Sequence, residues 1–207
     1  MGPNLIPNIL AGSLCALALF VSIRAFFIYF QARSPRIFVL GLSMLLIALT
    51  AADNFFVNVV TVPYNTYWFL YIGQVVGYLF IFLSFFWSSE GALQKLIRWQ
   101  IGFTVIMLLV WLLSPVLPQF PNVGVRATLS GLRALICLGI FFFYVSAFMK
   151  KETRFSLLMA VTFLLLTVGQ WLVFQKYFVT AGDILDNTGD ITRLIGQIIF
   201  LIAIIIG

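Results

Sequence analysis

The chain has 207 residues, of which 63% are hydrophobic and 9% charged, with a mean hydropathy of +1.13 and a net charge of +6. A soluble domain carries about a quarter of its residues as charged side chains, so this composition excludes a water-soluble globule and implies an all-α integral membrane protein. Histidine is absent and cysteine occurs twice, which excludes His-ligated haem or chlorophyll, His-metal centres, a Ser-His-Asp triad and a thiolate cluster.

A hydrocarbon core about 30 Å thick calls for roughly 20 apolar residues per crossing. Seven apolar runs predict seven transmembrane helices, over Leu5–Phe30, Ile37–Val60, Tyr67–Trp87, Trp99–Leu113, Ala127–Met149, Phe155–Val179 and Ile191–Ile206. The first begins "MGPNLIPNILAGSLC", with no basic segment ahead of it. Leu14 before Cys15 is a poor lipidation context, and Ile6 stands where a myristoylation pattern needs Ser or Thr, so an uncleaved, unlipidated start is expected. Arg24, near the end of this span, can snorkel to the headgroups.

The second span carries Asp53, Asn54 and Asn58, and Asp53 is the one carboxylate placed inside a span. The third contains Gln74 in "YIGQVVGYLF". A polar break, "SSEGALQK", leads to the fourth span, and a Pro-rich loop with Arg126 leads to the fifth, which holds Arg133 and Cys137. The sixth carries Gln170 and Trp171. An acidic break with Asp183, Asp186 and Asp190 precedes the seventh, where Gln197 sits in "LIGQIIF".

Cations alternate along these breaks. Arg33 and Arg36, then Lys95 and Arg98, then Lys150, Lys151 and Arg154 occupy every second one, which predicts an outside N-terminus, a cytoplasmic C-terminus and residence in the plasma (inner) membrane. The same bias explains the positive charge through anionic cytoplasmic lipid. The lipid bilayer is the expected partner, and no nucleic acid is implied.

The Gly-Gln pair occurs twice. Gln197 lies 123 positions after Gln74, and Arg154 lies 118 after Arg36. Spans one to three (residues 5–87) and five to seven (127–206) therefore read as a duplicated three-helix unit, with span four (99–113) as linker. An odd number of helices plus one linker gives both copies the same orientation, a 3+1+3 parallel arrangement.

Counted along the helices at about 1.5 Å per residue, Asp53, Gln74, Arg133, Gln170 and Gln197 fall in one layer near the outer side, flanked by Asn54, Asn58 and Trp171. Polar side chains at that depth face protein or a water-filled cavity. An Asp53–Arg133 ion pair is expected, with the glutamines lining a pocket for a polar ligand under aromatic cover. The competing expectation is a satisfied polar seam that holds helices together.

Two seven-helix families set a frame. Microbial rhodopsins need a Lys in the last helix for retinal, and "ITRLIGQIIFLIAIIIG" has none, so no cofactor is expected. The 3+1+3 plan is similar to that of SWEET and PQ-loop sugar transporters, a resemblance that covers all seven spans. It implies a small-solute transporter, but the Pro-Gln hinges of that family are missing: Pro3 and Pro7 are the nearest prolines to span one, and Pro118-Gln119 falls in an outer loop. Three expectations follow. The first is a non-enzymatic sensor or receptor-like module with an outward polar pocket, needing an output partner because the chain stops at Gly207. The others are a small-solute transporter and an accessory subunit of a larger membrane complex.

Overall fold

The computed structural model describes residues 5–60, 66–87, 89–120, 122–179 and 182–206, with the side chains of 58–60 outside that description. It is all-helical: α1 (Leu5–Ala32), α2 (Pro35–Val60), α3 (Tyr67–Phe86), α4 (Glu90–Leu112), α5 (Val123–Lys151), α6 (Arg154–Gln175) and α7 (Gly182–Ile206). All seven are long and apolar enough to cross a membrane.

Two helices start nine residues before their apolar runs. α4 begins at Glu90 and not at Trp99, so Lys95 and Arg98 are helical, and α7 begins at Gly182 and not at Ile191, so Asp183, Asp186 and Asp190 lie on a helix. Beyond the hydrocarbon a helix has no need to be apolar. Ser89 supports the α4 start by accepting from the Ala92 amide at 3.3 Å, which satisfies one of the free N–H groups of a first turn.

The α1–α2 and α5–α6 turns share one design. Arg33 (φ 54°) and Glu152 (φ 48°) each take the left-handed conformation that ends a helix. Ser34 and Thr153 follow, and the next helix starts at once; the Thr153 hydroxyl accepts from the Ser156 amide at 3.3 Å.

Helix neighbours fix the architecture. α1 packs on α2, α2 on α3, α3 on α5, α5 on α6, α6 on α7 and α7 back on α1, a closed ring of six, while α4 lies outside it against α2 and α3. Small residues permit the closest approaches. A Cβ on Gly73 would stand 2.7 Å from Thr50 Cγ2 and 3.8 Å from Leu46, and one on Gly196 would stand 3.2 Å from Leu165 Cβ. Leu165 lies 119 positions after Leu46, the same interval that separates Glu152 from Arg33.

The core fills the ring with Ala18, Val21, Met44, Tyr78, Ile140, Phe163 and Phe200 among others. Large apolar side chains such as Phe20, Phe30, Trp99, Leu135 and Phe142 are exposed on the outside. So much exposed apolar surface would drive a water-soluble monomer to aggregate.

Candidate functional site

The polar layer lies on the ring axis toward the end where α1, α3, α5 and α7 begin, here called the first end. Three glutamines from three helices converge there. Gln74 (α3), Gln170 (α6) and Gln197 (α7), together with Asn54 (α2), line a chamber of about 30 Å³ that is walled further by Ala11, Ile47, Tyr78, Asp190 and Arg193. That volume admits about two water molecules.

Above the chamber a polar vestibule of about 360 Å³ opens at the first end. The two share Asn54, Gln74, Asp190 and Arg193. Tyr67, Tyr71, Arg126, Arg133, Lys176, Tyr177 and Asp186 also line the vestibule. The Tyr71 and Tyr177 hydroxyls meet at 2.7 Å, tying α3 to the end of α6.

Hydrogen bonding inside is uneven. Arg133, 3% exposed, donates through Nη1 to Gln74 Oε1 and through Nη2 to Ser130 Oγ at 2.8 Å, while its ring of contacts also includes the Tyr71 face at 5.6 Å. Gln170 and Gln197 are 1% and 3% exposed, and the Oε1 of each has no hydrogen-bond partner among the described residues. A buried acceptor left unpaired costs about 1–3 kcal/mol; Gln100 Oε1, in the α2–α4 contact, is unpartnered too, but the Gln170 and Gln197 oxygens differ in belonging to side chains that line a chamber.

Asp53 stands apart from this group. It takes a hydrogen bond from Trp111 Nε1 at 2.8 Å, which turns it outward to α4, and its second oxygen is buried without a partner among the described residues. The expected Asp53–Arg133 ion pair does not form: the ion pairs among the described residues are Arg193–Asp190 at 2.7 Å and Lys176–Asp186 at 2.8 Å. Depth along α2 was legible, but the direction around its axis was not. Trp171 also points away, 47% exposed and packed on Phe174. Asn58 lies outside the described side chains.

Asp190, Arg193 and Tyr78 are site residues that the sequence reading missed. Arg193 lies eleven residues into α7 and lines the chamber. The signal was present in the spacing: Asp186, Asp190 and Arg193 fall at helical intervals of four and three, visible once the acidic break is read as helix. Gly169 and Gly189 bring α6 and α7 together beside it, with a Cβ on Gly169 only 2.7 Å from the Gly189 carbonyl oxygen.

At the opposite end the ring holds a second axial cavity of about 330 Å³, with walls mainly of Ala25, Ile28, Leu40, Ile81, Phe85 and Ile204 and with Arg36, Ser84 and Tyr144 as its polar groups. Tyr78 faces the first chamber and Ile81 the second, so on α3 the septum between them is about one helical turn thick.

Cys15 and Cys137 are free thiols, the former only partly buried. Among the described residues no group of three His, Cys, Asp or Glu side chains could hold a metal ion. Compared with protein-family models, with curated proteins and with solved structures, the chain matches none.

Proposed function

We propose that the chain is a non-enzymatic, receptor-like membrane module that binds a small polar solute in the first-end pocket. The observation that carries this reading is the pair of buried, unpartnered amide oxygens on Gln170 and Gln197 beside a water-sized chamber. A solute bearing N–H or O–H groups would satisfy both. By the alternation of cationic breaks the first end faces outward and the membrane is the plasma (inner) membrane.

The same reading takes α1–α3 and α5–α7 as two parallel copies of one unit with α4 as linker. It is supported by the matching left-handed turns at Arg33 and Glu152 and by the leucine contacts of Gly73 and Gly196. Each copy then places its Gly-Gln pair on the shared axis.

A second reading, a small-solute transporter of SWEET-like plan, is favoured by the second axial cavity behind a thin septum. Its weakness is chemical: that cavity is mainly apolar, so a solute held by amides at the first end would lose its partners on passing through.

Native mass spectrometry of protein extracted gently from its own membrane tests the proposal. A retained small molecule that Gln197→Leu abolishes, in a protein that still melts cooperatively, is the expected result. A fixed set of protein partners with no small molecule would instead establish an accessory subunit. If a solute is retained, its uptake into sealed proteoliposomes decides for transport and its exclusion for reception.

A further inference from the structure

The charges around the vestibule do not balance. Its wall carries four cations, Arg126, Arg133, Lys176 and Arg193, and two carboxylates, Asp186 and Asp190. Both carboxylates are engaged, Asp190 with Arg193 at 2.7 Å and Asp186 with Lys176 at 2.8 Å. Arg126 and Arg133 are left with no carboxylate within ion-pair distance among the described residues. They are seven positions apart on α5, two turns and about 10 Å along one helix face.

Their surroundings mark the surplus as a feature of the pocket. Arg133 is 3% exposed, and a guanidinium so deep in a membrane protein calls for a counter-ion. Arg126 lies over the Tyr67 ring at 4.4 Å and near Phe120 at 5.9 Å, so its partners are aromatic faces and not anions. The Nε of each guanidinium is buried without a hydrogen-bond partner.

We infer that the solute is a small organic anion, with a carboxylate or other oxyanion held at Arg133 and Arg126 and with hydroxyl or amine groups donating to Gln170 and Gln197. This rests on the proposed binding role of the chamber, which adjoins the vestibule that both arginines line, and adds the ligand's charge. Bidentate N–H donation suits guanidinium to planar oxyanions, and the cationic vestibule attracts anions from outside. A neutral solute of the same shape would leave both guanidinium charges uncompensated.

The test uses the full chain in nanodiscs of zwitterionic lipid, with glycolate and its neutral counterpart glycolamide as probes and saturation-transfer NMR as the readout. Glycolate is expected to bind about tenfold more tightly than glycolamide. Arg133→Gln and Arg126→Gln should each remove that preference, and the more peripheral Arg126 variant carries the test if the Arg133 variant fails to fold. Equal affinity for the two probes, with both lost in Gln197→Leu, overturns the anion assignment and leaves the polar pocket standing. Failure of both probes to bind overturns the assignment and the pocket together.

Discussion

At Asp53 the hydrogen bond from Trp111 ties the carboxylate to α4. Asp53→Asn keeps an acceptor oxygen for the indole, so it should change stability little and leave solute binding intact. Asp53→Leu and Trp111→Phe each break the bond, at a cost of about 1–3 kcal/mol, measurable as a lower midpoint of thermal unfolding in detergent. A double variant no worse than the worse single one would assign both losses to the same contact. Conversely, Gln197→Leu removes an unpaired buried acceptor, so the empty protein should be no less stable while solute binding is lost, a trade of stability for function. The glutamines were legible in the sequence because helical rise converts position into depth. Asp53 was not, because a span that is apolar on all sides gives no sign of which face turns inward.

Among the helices, the α6–α7 contact has the least room to spare. A methyl at Gly169 would meet the Gly189 carbonyl at 2.7 Å and Arg193 Cγ at 2.5 Å, and one at Gly189 would meet the Gly169 carbonyl at 2.8 Å. Gly189→Ala should therefore force the helices apart, cost about 1–3 kcal/mol and displace Arg193 from the chamber wall. Gly102, on the exposed face of α4, has nothing within 4 Å. Gly102→Ala should be neutral or stabilising by up to about 1 kcal/mol. Opposite signs in the same unfolding assay check both. The number of helices was readable from apolar runs alone. Where α4 and α7 begin was not, since each opens with polar turns, Glu90–Arg98 and Gly182–Asp190, whose composition is equally that of a loop.

For the molecule as a whole, orientation is open to a direct assay. With Cys15 and Cys137 replaced by Ala, Ser34→Cys and Thr153→Cys should react with a membrane-impermeant maleimide only from the cytoplasmic side, and Asn122→Cys only from outside. Labelling of Ser34→Cys and Thr153→Cys from opposite sides would dismantle the parallel duplication, because these residues occupy the same place in the two turns. A repeat of three helices could be suspected from the doubled Gly-Gln pair. The closure of the ring through α3–α5 and α7–α1 could not, because lipid-like side chains cover every face and nothing in their order names a neighbour.

The ring also has a lever built into it. Asn54 lines the pocket, while the adjacent Asp53 holds Trp111 of α4, and successive residues on a helix point about 100° apart. Any tilt of α2 felt at the pocket is thus a displacement of the post to which the outer helix is moored. The indole at that mooring is an optical gauge within the chain: with the other four tryptophans replaced, its emission would register, on the lipid-facing side of the molecule, what had settled on the axis.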